Sequence, residues 1–370
     1  MRIIKIEALH LRLPEVKEVA DGTQDCLLVR IHTDAGLSGL GEVVSCSYVA
    51  RAVIEAPRSA PFRHGLAAII NGMAAIDIDS VMAAMIDGTS WYGPGGVARH
   101  AMSGIDIALW DLRGKMEGTP VRKLLSPTAA DRIPCYASVL WPERPEGVAD
   151  SAQAFLEQGY KAVKYGWGPM GSDPQLDEEL VAAAREALGS EINLMVDAGR
   201  AWNVRTALER VALFQPYRLF WLEEPLHPHD IAGYGELTRA VSMPVAAGEA
   251  MTLVEEYKPL LRDGGIHVVQ PDLGRVGGLT GGRLIAGLAQ ETGAWPVPHA
   301  FGTGVVLAAS AQWAAACAKP LTEFSRSPSP LARDIVHHSM VFKDGLLHLT
   351  DAPGLGVELD EEMVARYRVG

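Results

Sequence analysis

Lys164, Asp197, Glu223, Glu249, Asp272, His299 and Glu323 each close a short apolar run downstream of residue 160. Asp197, Glu223 and Glu249 lie 26 and 26 residues apart. If their runs are neighbouring strands, three carboxylates converge, and charges that close repel unless a cation lies between them. An all-oxygen set without His or Cys favours Mg²⁺, with positions left open for water and substrate oxygens. Asp272 and His299 end the next two runs, 27 residues apart. Adjacent strands are about 5 Å apart, so the carboxylate can bond one imidazole nitrogen and raise the basicity of the other, as a general base requires. Taken singly, each residue reads as a solvated strand-end charge, the trio as surface ion pairs, and His299 as a structural histidine. Seven in succession favour a site.

The elements that would position them repeat. The runs are Ile133–Val139, Ala162–Trp167, Asn193–Asp197, Leu219–Glu223, Pro244–Glu249, His267–Asp272, Trp295–His299 and Leu321–Phe324. Their starts lie 29, 31, 26, 25, 23, 28 and 26 residues apart, each followed by a helix-like segment. Eight such units predict an α/β fold built on a (β/α)₈ barrel, whose functional side chains gather at the C-terminal ends of the strands. An open doubly wound sheet competes, but does not call for eight even repeats. Upstream, Ile3–Leu13 and Cys26–Thr33 alternate as strands, and a helical region over 48–85 is interrupted around Pro57 and Pro61. Ala101–Met116 carries a helical apolar period. The expected division is an N-terminal α+β capping domain over 1–128, the barrel over 129–328, and a C-terminal segment over 329–370 that packs back on the cap. Within that segment Val336–His348 reads as a hairpin.

Two further features have local readings. Glu224 follows Glu223, so a period of two turns it away from the ligand position. The glycines of PDLGRVGGLTGG read more readily as a tight turn into a helix than as a phosphate cradle.

Composition narrows the class. Net charge is −12 with acidic residues spread along the chain, which argues against nucleic acid and anionic membrane as partners. A small anionic substrate stays open, because a metal reverses the local field. Cys26, Cys46, Cys135 and Cys317 form no CxxC pair and read as reduced thiols rather than a zinc site or disulfide framework. The opening MRIIKIEALHLRL alternates like a strand and lacks a signal-peptide core; no apolar run reaches membrane-spanning length. A cytoplasmic location is expected.

The chain resembles the enolase superfamily, specifically its mandelate racemase-like branch. The motifs are HTDAGLSGLGE, SGIDIALWDLRGK at 103–115, AVKYG at 162–166, MVDAG at 195–199, WLEEP at 221–225 and AAGEA at 246–250. VQPDLGRVGG at 269–278, PHAFGTG at 298–304, TEF at 322–324 and PGLGVELDEE at 353–362 complete them. The resemblance implies a cap over a modified barrel, Mg²⁺ held by Asp197, Glu223 and Glu249, and removal of a carboxylate's α-proton to form an enediolate. It makes Lys164 the first lysine of a Lys-x-Lys motif that stabilises that anion. Glu323 becomes a group that, when protonated, donates to the substrate carboxylate. It also implies a symmetric homo-oligomer. A Lys or His base with Mg²⁺ in this superfamily is itself a known pattern.

Two positions depart. The second lysine would fall at 166, where this chain has Gly166, and Gly199 replaces a position that is often polar in relatives. With one evident base, inversion lacks a proton donor on the second face. His299 can remove the α-proton and, as its conjugate acid, assist loss of a β-hydroxyl from the same side. The expected activity is therefore dehydration of an acid sugar to a 2-keto-3-deoxy acid, with Lys164 as an alternative general acid. A racemase or epimerase with Tyr165 or a cap residue as second group is the enzymatic alternative. A non-catalytic acid-binding barrel and a Schiff-base aldolase on Lys164 are the others; the last leaves the carboxylates unexplained. Specificity is expected from the cap segments 14–26 and 45–65, with Lys17, Tyr48, Arg51, Arg58, Arg63 and His64 as candidate contacts.

Overall fold

A computed structural model describes residues 1–338 and 340–369. Strands β1 (Ile3–Arg12), β2 (Asp25–Thr33) and β3 (Ser38–Val43) form an antiparallel meander. The helix Val97–Glu117 lies across it, and the glycines of the SGLGE stretch explain the close approach. A β-carbon at Gly39 would fall 2.0 Å from Ala108 O, and one at Gly41 1.9 Å from Gly104 O, so any larger side chain pushes the helix off the sheet. Buried Asp111 on this helix accepts from Leu40 N at 2.9 Å, Lys115 Nζ at 2.7 Å and Leu355 N at 2.8 Å. One carboxylate thus ties sheet, helix and C-terminal segment together.

The second half is a modified (β/α)₈ barrel beneath this cap. Its strands are β4 (Arg132–Leu140), β5 (Ala162–Gly166), β6 (Asn193–Asp197), β7 (Trp221–Glu223), β8 (Val245–Ala247), β9 (Val268–Val269), β10 (Trp295–Pro296) and β11 (Thr322–Ser325). Consecutive strands from β4 to β10 pair in parallel, and β11 pairs in parallel with β4. No ladder joins β10 to β11 among the described residues. A helix follows each strand from β4 to β10, whereas β11 is followed by the four-residue helix Pro330–Arg333. Inward-pointing Tyr136, Met195, Trp221, Val268 and Val297 fill the barrel as a separate apolar cluster. This closed floor leaves the strands' C-terminal ends as the open face.

The C-terminal segment differs from the expected single hairpin over Val336–His348. Strand β12 (Val336–His338) pairs with β15 (Val357–Leu359), and only β13 (Val341–Lys343) and β14 (Leu346–His348) form a hairpin. Asp344 and Gly345, at φ 52° and 76°, turn that hairpin. Strand β14 then adds to the edge of β4, pairing Leu347 with Ile133. The segment reaches the cap as well, where Val369 N donates to His10 O at 2.8 Å.

Candidate active site

Asp197 and Glu223 close β6 and β7 as register partners, and Glu249 sits two residues beyond β8. One oxygen from each lies within 4.8 Å of the others. Burial, then the charges of Glu223 and Glu249, holds Asp197 well above the usual carboxylate range. Glu249 Oε2 is buried without a hydrogen-bond partner. Three converging carboxylate oxygens fit a hard divalent cation. Glu223 is held on both sides: Lys164 Nζ donates to Oε1, while Gln270 Nε2 at 2.7 Å and Trp221 Nε1 at 3.0 Å donate to Oε2.

Across the opening, an isolated parallel bridge joins Asp272 to His299, three residues past β9 and β10. Asp272 Oδ2 is 2.7 Å from His299 Nδ1, and Oδ1 accepts from Gly274 N at 2.7 Å. An ionised carboxylate only accepts, so Nδ1 carries the proton and Nε2 is left free to take one. That Nε2 lies 3.4 Å from Glu249 Oε2. Burial alone would lower the His299 pKa, but the negative charges of Glu249 and Glu323 and the bond to Asp272 raise it to about 10, so with the carboxylates uncompensated Nε2 holds a proton, and it becomes free to accept one when a cation among them offsets those charges.

Lys164 is the middle residue of β5 rather than its end, with Nζ 2.9 Å from Glu323 Oε1. Glu323 Oε2 accepts from Ala300 N at 2.6 Å. Burial would raise the Glu323 pKa, yet Lys164, His299, Ser138 and Ala300 together pull it down to about 2. Ser138, beside Lys164 in register, also lines the opening.

The two departing positions are closely packed. A β-carbon at Gly166 would lie 2.8 Å from Asp197 Oδ2. At Gly199, with φ 56°, it would meet the Trp167 ring at 3.2 Å. Tyr165 points outward, bonding Ser151 Oγ at 2.9 Å and stacking on Trp141. Glu224 is buried outside the trio, with φ 37° and its Oε2 3.7 Å from Arg200 Nε. The glycine-rich segment makes the tight turn: Gly277 N donates to Ser103 Oγ and Thr280 N to Asp106 Oδ1. A β-carbon at Gly278 would sit 2.2 Å from Asp106 Oδ1, so these amides serve the cap helix rather than a phosphate.

The site opens into a cavity of about 180 Å³ lined by Lys164, Asp197, Glu249, His299 and Glu323, with Ser138, Trp167 and Phe301 beside them. The cap contributes Ala20, Gly22 and Val44. None of Lys17, Tyr48, Arg51, Arg58, Arg63 or His64 lines it. Sequence reading passed over Trp221 and Gln270, although each stands two residues before a singled-out carboxylate and so shares its face. Ser138 and Phe301 carry no comparable signal.

Residues 9–126 match the family described as mandelate racemase / muconate lactonizing enzyme, N-terminal domain, and residues 147–363 match that described as enolase C-terminal domain-like. The chain is 30% identical over 368 residues to the 3,6-anhydro-alpha-L-galactonate cycloisomerase of Streptomyces coelicolor, covering 97% of each chain. It is 33% identical over 290 residues to the L-talarate/galactarate dehydratase of Salmonella typhimurium, covering 77% of this chain and 70% of that one. A solved racemase from Streptomyces coelicolor with bound magnesium superposes with a TM-score of 0.86 at 28% identity, covering 99% of this chain and all (100%) of the other.

Proposed function

The chain belongs to the mandelate racemase/muconate lactonizing enzyme family of the enolase superfamily, and we propose that it dehydrates an acid sugar to a 2-keto-3-deoxy acid. The observation that carries this reading is His299, held by Asp272, lining one cavity with Asp197 and Glu249 of the carboxylate trio. Those three carboxylates would hold Mg²⁺, which when bound supplies the positive charge that makes a doubly negative carboxylate tolerable.

His299 Nε2, with its tautomer fixed by Asp272, takes the α-proton. Lys164 Nζ offers a second positive charge to the carboxylate oxygens as charge builds on them. The protonated imidazole then delivers its proton to the departing β-oxygen on the same face, so one histidine serves both steps. Beneath the site Tyr136 and Trp221 are fully buried in the barrel's apolar cluster.

Racemisation finds no support at residue 166, where Asp197 crowds the position of a second base. A second reading keeps the proton abstraction but expels a ring ether oxygen instead of water, a cycloisomerisation. The end-to-end similarity to a cycloisomerase favours it. Retention of the base, its partner and the oxygen trio counts against a binding-only barrel.

The test is α-proton exchange in D₂O by NMR, together with 2-keto acid formation, for a panel of sugar acids with Mg²⁺. Both activities should appear with the wild-type protein and vanish in His299→Asn and on chelation. Exchange that persists in His299→Asn rules out His299 as the base.

A further inference from the structure

The cavity has two unlike poles. One carries Asp197 and Glu249 of the carboxylate trio with Lys164, His299 and Glu323. The other is walled by Ala20, Val44, Leu140, Trp167 and Phe301, none of them charged. Among the described residues lining this cavity, its only basic side chains, Lys164 and His299, lie at the first pole.

The space beyond does not reverse that picture. An adjoining cavity of about 220 Å³ shares Gly22, Val44 and Phe301 with the first. It sets Asp25 and Glu42 against the single guanidinium of Arg275, so it offers no net positive charge. The two carboxylates are already engaged, and Arg275 spends one N–H on a backbone carbonyl while its Nε is buried without a partner. Glu42 accepts from Thr303 N, Thr303 Oγ1 and Val306 N, Asp25 accepts from Arg12, and Arg275 donates to Val44 O.

A second carboxylate held within the first cavity would therefore leave water and meet no basic side chain of its lining beyond Lys164 and His299, which is unfavourable for a desolvated charge. A sugar's C–H faces, by contrast, suit the Trp167 and Phe301 rings. Trp167 is held for that task by Gly199 behind it and by the Arg200 guanidinium, 5.0 Å from its ring centroid.

We propose that the substrate is a sugar acid with a single carboxylate and an uncharged far end, so that diacids are excluded. This rests on the proton-abstraction reading above.

The experiment compares kcat/KM for D₂O exchange and keto acid formation between acids matched in configuration, using the full-length Mg²⁺-loaded protein. The pairs are D-gluconate with D-glucarate and D-galactonate with galactarate, with L-rhamnonate as a deoxy monoacid. The monoacid of any pair that reacts should exceed its diacid by 100-fold or more. Ala20→Arg, which adds a cation at the uncharged pole from an exposed position, should raise the diacid-to-monoacid ratio at least 10-fold. A diacid that matches or exceeds its monoacid overturns the proposal while leaving the base and metal reading intact. So does a ratio unmoved by Ala20→Arg in a protein that keeps its monoacid activity. No exchange on any acid of either kind overturns both.

Discussion

Gly166 and Asp197 are register partners on β5 and β6, and a β-carbon at 166 would fall 2.8 Å from both Cβ and Oδ2 of Asp197. In this chain a side chain at 166 would press on a carboxylate of the oxygen trio. Gly166→Ala and Gly166→Lys should each weaken Mg²⁺ binding about 10-fold or more, the scale seen when a ligand's surroundings are disturbed. Neither should gain inversion at the α-carbon. Calorimetric Mg²⁺ titration with NMR of the product checks this; an unchanged affinity with racemisation in Gly166→Lys would refute the steric account.

Asp272 uses one oxygen for the Gly274 amide and the other for His299 Nδ1. Asn at this position has one acceptor for two donors, and its amide can instead present N–H to Nδ1, which moves the imidazole proton to Nε2. Asp272→Asn should slow α-proton exchange by roughly 10²–10⁴, the range for a displaced general base. Mg²⁺ affinity should change little. Exchange within a few-fold of wild type would mean that His299 keeps its tautomer without Asp272.

The barrel and the convergence of its carboxylates were legible because both follow from periods: eight repeats for the fold, and strand ends for the site. The Asp272–His299 contact was legible as neighbouring strands, although β9 and β10 span two residues each and the pair is joined by a separate bridge. What the cap presents to the cavity was not legible. Polar cap residues such as Arg51 and Arg63 attract a reading in terms of substrate, yet the docked cap contributes Ala20, Gly22 and Val44. Docking orientation is set by contacts far apart in sequence, such as Glu42 with Thr303, and no local pattern encodes it. The left-handed backbone at Trp167, φ 55°, is likewise hidden, since a bulky side chain there contradicts local preference. The tail misled because its alternation is shared by strands that pair with different partners.

Gln270 and Trp221 both donate to Glu223 Oε2 from the barrel interior, and Gln270 Oε1 is left buried without a partner. An amide held at that cost is oriented by the carboxylate it serves. Gln270→Leu and Trp221→Phe should each reduce Mg²⁺ affinity 10- to 100-fold while the far-UV spectrum stays unchanged. If titrations of both variants overlay wild type, Lys164 alone suffices to hold Glu223.

His100 supplies a pH dependence away from the site. It is buried in the helix Val97–Glu117, with Nδ1 2.8 Å from Ser45 Oγ and Nε2 buried without a partner. Burial, and then the charge of Arg275, pulls its pKa from 6.5 down to about 3. The folded state therefore binds fewer protons than the unfolded chain in that window, so stability is full above about pH 6.5 and falls as pH drops. The slope from one such group approaches about 1.4 kcal/mol per pH unit, so roughly 2–3 kcal/mol should disappear between pH 6.5 and 4.5. His100→Asn cannot take up a proton there and should lack this part of the decline. Urea unfolding of both proteins at pH 7, 6 and 5 gives the comparison. The variant is expected to be less stable at pH 7, with the gap narrowing toward pH 5. Parallel curves would show that His100 becomes charged inside the fold without penalty, and would move the acid sensitivity to other groups.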